Sequence, residues 1–336
     1  MNAILLLSFG GPEAPDEVMP FLRRVVGGRG IPEERLAVVA EHYVARGGRS
    51  PINGENRRLL ADLRAELDRR GDDRPVLWGN RNSAPWLTDA LHEAADLGVT
   101  DLTVVVTSAY RSYSSCRQYR EDLAAAVEEA GVDVRITKVA PYATSPGFVE
   151  AATDLLVGTV RPILANGRAP RVVFVTHSVP VTMDETSGPG DGEGWAYSRD
   201  HADVARRVLT GAGERLGAHL DGEIAYCSRS GPPQQPWLEP DVNVRLGELA
   251  ADGVTDVVLH PIGFVSDHME VVHDLDAEAL STARAVGIDA VRVPTVGRHP
   301  AFVRQLVDLA LATAEPCAAG CCPNLRAARP ALCGRD

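Results

Sequence analysis

The sequence predicts an α/β protein built from two similar Rossmann-like lobes, each a four-stranded parallel sheet flanked by helices, with the functional site in the cleft between them. Eight short runs of β-branched and apolar residues alternate with stretches rich in alanine and leucine, a pattern that implies parallel strands joined by right-handed helical crossovers. Segments of the first half also recur, in order, in the second. LLLSFGGP at 5–12 is echoed by VFVTHSVP at 173–180, and NRNSAPWL at 80–87 by SRSGPPQQPWL at 228–238. LHEAADLGVTD at 91–101 returns 155 residues later as LGELAADGVTD. One such echo is weak, but three in register indicate two homologous lobes.

In chain order the strand-like runs are 3–9, 75–79, 102–107 and 134–140, then 171–176, 223–227, 257–260 and 290–296. Helical stretches fall at 56–70, 91–97, 119–130, 202–216 and 277–285. Prolines at 141 and 146 mark the boundary, giving lobes of 1–143 and 144–315 and a cysteine-rich tail at 316–336.

The first strand is followed by FGGPEAP, whose proline stands where a dinucleotide-binding turn needs glycine, so a dinucleotide is not indicated. Further on, ARGGRSPING at 45–54 offers glycines for close backbone approach, and Arg29, Arg46, Arg49 and Ser50 suit carboxylates or phosphates. His177 stands just beyond the second lobe's first strand, where this topology exposes side chains to the cleft. SGPGDGEG at 187–194 reads as a mobile surface loop or lid.

The segment VVLHPIGFVSDHMEVVHDLD at 257–276 passes from a buried strand through a glycine turn into a helix bearing acids and histidines. Asp267 reads as its N-cap and Glu270 as the third residue of a capping box. Glu270, Asp274 and Glu278 then share one α-helical face, a carboxylate ladder that repels itself unless a cation or basic neighbour offsets it. An imidazole at 177 opposed to a carboxylate at 270 suits weak binding of a divalent ion or acceptance of protons.

A formal charge of −12 argues against nucleic acid or an anionic membrane as partner. The first nine residues lack a basic region and cleavage site, and no apolar run is long enough to span a membrane, so a cytoplasmic protein is expected, with a monomer as the default.

Taken together, LLLSFGGPE, GGRSPING, YSSCRQYRED, FVTHSVP, SRSGPPQQPWLEPD and PIGFVSDHMEVVHDLD resemble the ferrochelatases, and Phe9 with YSSC resembles the actinobacterial coproporphyrin type. The motifs span 5–276. The resemblance implies a chelatase-type fold that inserts Fe2+ into a porphyrin, coproporphyrin III, in heme biosynthesis. It implies His177 and Glu270 as the metal-site and catalytic pair facing each other across the macrocycle cleft, with Asp274 as an acidic relay on the same helix. Ser50, Tyr119 and Arg29 match porphyrin-contacting positions. Phe9 departs from relatives that carry a tyrosine there. A protoporphyrin-specific ferrochelatase, a tetrapyrrole carrier without turnover and a metal-assisted hydrolase remain as alternatives.

Four of six cysteines, Cys317, Cys321, Cys322 and Cys333, crowd the tail, and clustered cysteines in a large chain of this kind suggest metal before disulfide. Zinc and iron–sulfur clusters both take four thiolates, and the spacing does not choose between them. The resemblance points to a [2Fe–2S] cluster. Cys116 is an alternative ligand to one of the adjacent pair.

Overall fold

The chain was analysed as a computed structural model. It describes residues 1–27, 30–189, 193–231, 234–312, 317–318 and 320–332. In chain order the first half comprises β1 (Asn2–Ser8), α1 (Val18–Val26), α2 (Glu33–Val44), α3 (Ile52–Arg70), β2 (Val76–Asn80), α4 (Leu87–Asp96), β3 (Asp101–Val106), α5 (Gln118–Ala130) and β4 (Arg135–Lys138). A π-helical turn, Tyr113–Arg117, leads into α5. The second half comprises α6 (Pro146–Ala165), β5 (Arg171–His177), α7 (Val181–Glu185), α8 (Ala196–Leu216), β6 (Gly222–Cys227), α9 (Val242–Ala251), β7 (Asp256–His260), a π-helix (Val271–Ala279), α10 (Leu280–Ala285), β8 (Asp289–Arg292) and α11 (Pro300–Leu311).

The two sheets have the same order, β2-β1-β3-β4 and β6-β5-β7-β8, and every pairing is parallel. The echoes seen in sequence occupy equivalent places. The first pair comprises β1 and β5, the second follows β2 and β6, and the third runs from α4 and α9 into β3 and β7. All eight expected strands form. The last is shorter than expected, ending at Arg292, because its final residues leave the edge of the sheet.

The lobes do not have wholly separate interiors. One apolar cluster takes Leu6 and Val105 from the first sheet, Phe174 and Val258 from the second, and Phe148 and Phe302 from α6 and α11 between them. α11 reaches back to α3, where Arg70 pairs with Asp308 at 2.6 Å. Each sheet packs its other face on its own cluster. A fourth cluster joins α1 and α2 to Met269, immediately before Glu270, so the first lobe's helical hairpin is anchored beside the acidic segment of the second. Among the described residues no helix is long and apolar enough to cross a membrane.

One glycine shows how tightly the second lobe's centre is packed. A Cβ on Gly263, in the turn after β7, would stand 2.1 Å from Thr176 Oγ1 and 2.8 Å from its Cα. Only glycine lets that turn lie against β5, the strand that carries His177.

Candidate active site

His177 is the last residue of β5, and Glu270 lies a short turn beyond the end of β7. β5 and β7 are hydrogen-bonded neighbours, so both side chains reach the carboxyl edge of one sheet, where open α/β sheets build their sites. His177 Nε2 is 3.6 Å from Glu270 Oε2, with the two side chains 32% and 50% exposed. The pair is therefore a direct neighbour contact within the second lobe, and not an opposition across the cleft. His177 Nδ1 contacts the carbonyl of Ser178. A carbonyl only accepts, so Nδ1 carries the hydrogen and Nε2 is the nitrogen left for chemistry.

Burial would depress the His177 imidazole, but the Glu270 charge and hydrogen bond, with the Ser178 carbonyl, outweigh it and hold the group above the usual histidine range. For Glu270, burial pulls upward and His177 and His268 pull harder downward, leaving it near 2. The acid is thus a carboxylate throughout the neutral range. Asp274 is pushed up to about 7 by burial and by the neighbouring Glu270 and Glu278 charges, against a hydrogen bond from Ser228 Oγ.

The segment bearing these acids is a π-helix and not the α-helix expected. Its i→i+5 bonding is rare and concentrates at functional sites. Asp267 does not cap it. That carboxylate is bound instead by Arg292 at 2.9 Å and by Thr295 Oγ1 at 3.1 Å, and Arg292 also holds Asp276. Ligand atoms of His273, Asp274 and Glu278 lie within 4.8 Å of one another. The ladder has basic company on both sides: His273 is 3.4 Å from Glu278 and stacks at 3.7 Å on His42 of α2. Arg46, just after α2, donates to the Val272 carbonyl at 3.0 Å. Tyr43, buried beside Glu270 and Asp274, has its hydroxyl pushed upward by burial and by both charges. His42 and Tyr43 escape notice in the sequence because nothing local links α2 to residues 270–278.

Ser50 and Tyr119 are each 4% exposed. Ser50 is packed against Gly11, where an added Cβ would lie 2.6 Å from its own. Tyr119 lies beneath the Arg81 guanidinium, 4.4 Å from its ring centroid. Neither offers a free surface. Phe9 is partly exposed, edge-on to Phe21 at 6.1 Å, and shares Arg81 with Tyr119, the guanidinium lying over both rings. Arg29 falls outside the described residues.

The tail is not a loose appendage. Cys321 and Cys322 are buried, with their sulfurs 3.8 Å apart. Cys322 adopts a left-handed backbone at φ 48° and its N–H donates to the Gly188 carbonyl at 3.0 Å. Gly188 N–H returns a bond to the Cys322 sulfur at 3.4 Å. Of the loop expected to be a mobile lid, Ser187 and Gly188 are buried and Gly188 is pinned by Cys322, while residues 190–192 lie outside the described residues. Asn324 Nδ2 donates to Tyr113 and Glu121, and Leu332 N–H to the Arg120 carbonyl. Cys317 hydrogen-bonds Cys321, and Cys116, buried at the end of the Tyr113–Arg117 turn, acts electrostatically on Cys322. Hydrogen bonds from Cys317 and Cys322, with the nearby positive charge of buried Arg120 and Lys138, pull the Cys321 thiol down to about 3. Cys333 lies outside the described residues.

The ferrochelatase family model matches residues 1–314. The chain belongs to the ferrochelatase family. Within it, the coproporphyrin III ferrochelatase of Leifsonia xyli subsp. xyli is 47% identical, the match covering 99% of this chain and 94% of the relative. That of Streptomyces coelicolor is also 47% identical, covering 100% and 96%, and that of Nocardia farcinica 44%, covering 100% and 99%. Among solved structures, SirB from Bacillus subtilis with Fe3+ aligns over 91% of this chain and 93% of its own, with a TM-score of 0.52 and 14% identity, a likeness of fold. The family places this chain among metal chelatases, as the motif resemblance led one to expect.

Proposed function

We propose that this chain is a coproporphyrin ferrochelatase, inserting Fe2+ into coproporphyrin III to give its iron complex and two protons in heme biosynthesis. The contact of His177 Nε2 with Glu270 Oε2 at 3.6 Å carries the reading, since insertion needs both a metal-attracting carboxylate and a proton acceptor at one point. With Nδ1 committed to Ser178, Nε2 takes a pyrrole proton, and the Glu270 carboxylate both draws in Fe2+ and stabilises the resulting imidazolium. Carboxylates suit a passing hydrated ion, binding it without the retention that thiolates impose. Asp274, near 7, is placed to carry protons away from the pair.

Phe9 supplies the aromatic face for the macrocycle, with Tyr119 sharing its Arg81 and Ser50 packed on Gly11, and arginines, Arg29 among them, meet the peripheral carboxylates. Residues 1–143 and 144–315 serve as the two jaws, in a monomer working in the cytoplasm.

The reading extends to a [2Fe–2S] cluster on Cys317, Cys321, Cys322 and Cys333, with Cys116, which acts electrostatically on Cys322, as the alternative ligand to one of the adjacent pair. Four thiolates carry more charge than two ferric ions and two sulfides neutralise, and the buried cations Arg120 and Lys138 offset it. Cys322 has a left-handed backbone at φ 48°, and the sulfurs of the adjacent pair lie 3.8 Å apart. When bound, such a cluster supplies one-electron chemistry. These residues otherwise fasten the tail to both lobes.

Anaerobic mixing of the protein with Fe2+ and coproporphyrin III, followed at the Soret band, tests the function. Catalytic turnover is expected. Stoichiometric binding without turnover would make the chain a carrier, and turnover only with protoporphyrin would overturn the substrate.

A further inference from the structure

Behind His177 runs a fully buried polar chain that packing alone does not require. Tyr197 and His201 on α8, Thr176 on β5 and Tyr110 from the first half are all at most 3% exposed. His201 Nδ1 is 2.7 Å from the Tyr197 carbonyl, so it carries the hydrogen and donates. His201 Nε2 is then an acceptor, and the Thr176 hydroxyl, 2.8 Å away, donates to it. Burial holds this imidazole down near 3, which keeps it neutral. With the only proton of Thr176 so used, its oxygen is left as an acceptor toward Tyr197, 2.9 Å distant. The Tyr197 hydroxyl has a single proton, which it shares between the Thr176 oxygen and the His177 carbonyl 2.8 Å away. The tautomer of His201 thus makes Thr176 a donor to the imidazole and leaves Tyr197 as the donor to both oxygens.

Two anchors hold the chain in place. Tyr110 stacks on His201 with centroids 3.5 Å apart and planes 9° apart, and its hydroxyl donates to the Ile262 carbonyl at 3.0 Å. Ser187 Oγ accepts from Tyr197 N–H at 2.9 Å and donates to the Asp184 carbonyl at 2.8 Å. The β5–β7 register ends at Phe174, three residues before His177, so on that side the sheet no longer fixes the histidine's backbone. The next peptide is fixed from the other side, where Ser178 N–H donates to the Cys227 carbonyl.

We propose that Tyr197 and His201 are positioning residues for His177, with the Tyr197 hydroxyl gripping its carbonyl so that Nε2 is presented at fixed geometry toward Glu270. Burying polar side chains is costly unless each is satisfied, and an apolar trio of the same shape would fill the space as well. What an apolar trio cannot do is hold a carbonyl at a strand end. The proposal rests on His177 as the proton acceptor.

Two measurements on the full-length chain test it. Tyr197→Phe removes one oxygen and is expected to lower kcat for Fe2+ insertion about ten- to hundred-fold, the scale of a small misplacement, with KM for the porphyrin within twofold. His201→Leu is expected to do the same, and His201→Gln, which restores an acceptor for Thr176, to recover most of the loss. Independently of turnover, long-range 1H–15N spectra of the imidazoles without substrate, recorded at a pH high enough to leave His177 neutral, are expected to show it as the Nδ1–H tautomer in the wild type and shifted or broadened in Tyr197→Phe. Wild-type kcat and unchanged His177 resonances in Tyr197→Phe would overturn the proposal. So would a loss of kcat matched by equal loss of porphyrin affinity and thermal stability, the mark of a merely structural role. If Tyr197→Phe does not fold, Thr176→Val is judged by the same criteria. A wild type that inserts no metal would refute the functional reading, while the spectra would still decide the positioning.

Discussion

His177 directs Nε2 at Glu270 while its other nitrogen is spent on the neighbouring Ser178 carbonyl, so the pair has one reactive nitrogen and one permanently ionised acid. His177→Ala is expected to abolish insertion while leaving porphyrin affinity within a few-fold, as measured by fluorescence quenching. Wild-type turnover in that variant would remove the histidine from the chemistry.

The same pair sets a pH dependence. His177 is raised, so its stabilising contribution is complete below the ordinary value of 6.5 and is lost as pH rises through its folded value. Glu270 is depressed to about 2, so its contribution is present above 4.5 and is lost as pH falls toward 2. As acceptor, His177 must be neutral, and kcat/KM for Fe2+ should therefore rise with pH through a value above 6.5. In Glu270→Gln burial acts unopposed by that charge, so the rise should move to lower pH while kcat falls by roughly a hundredfold. A profile that does not move would uncouple the two residues.

Asp274 offers a separate stability test. Its folded pKa of about 7 exceeds the ordinary 3.8, so the native state holds a proton that the unfolded chain gives up, and stability falls as pH rises between these values. Asp274→Asn removes that penalty. Its stabilising effect should be larger at pH 8 than at pH 5 by roughly 2 kcal/mol, read from urea melts. Insertion by this variant should be slowed modestly, with a raised KM for Fe2+.

Substrate preference follows from carboxylate count. Coproporphyrin presents four propionates and protoporphyrin two, and a guanidinium such as that of Arg46 or Arg49 has five N–H donors, of which a single backbone carbonyl takes up few. kcat/KM should favour coproporphyrin by at least about tenfold, the effect of one lost charged contact. Arg46→Ala should shrink the preference. Equal values for both porphyrins would leave a chelatase without this selectivity.

For the tail, protein purified anaerobically should be red-brown, with about two irons and two labile sulfides per chain. Serine at each of Cys116, Cys317, Cys321, Cys322 and Cys333 should bleach it at four and leave it at one. Serine at Cys227, in the second lobe's interior, should not bleach it. Colourless protein with stoichiometric zinc would replace the cluster by a zinc site.

Much of this was legible in the chain because buried parallel strands are written as continuous apolar runs, and because a duplicated lobe repeats its motifs. His177 was found from its place after β5, and Glu270 from its place after β7. What stayed hidden depends on contacts distant in sequence. α-Helical and π-helical bonding share one composition, so 271–279 reads as an α-helix. Asp267 looks like a cap until Arg292, from a strand 25 residues on, takes its carboxylate. α1, α2, α6, α7, α9 and α11 lie outside the helical stretches that the sequence predicts, their apolar faces being set by partners in other parts of the chain. Ser50 and Tyr119 carry family motifs but are buried, Ser50 against Gly11 and Tyr119 beneath Arg81, packing that no motif encodes.

The bond between Cys322 and Gly188 spans 134 residues of chain. During synthesis the segment after His177 therefore leaves the ribosome well before the residues that will fasten it, and both sheets can form around an unsecured turn. The segment around Cys322 acts as the closing stitch. Removal of that segment by a protease should release Gly188 first, while Ser187 stays held by Asp184 and Tyr197 and the sheets persist.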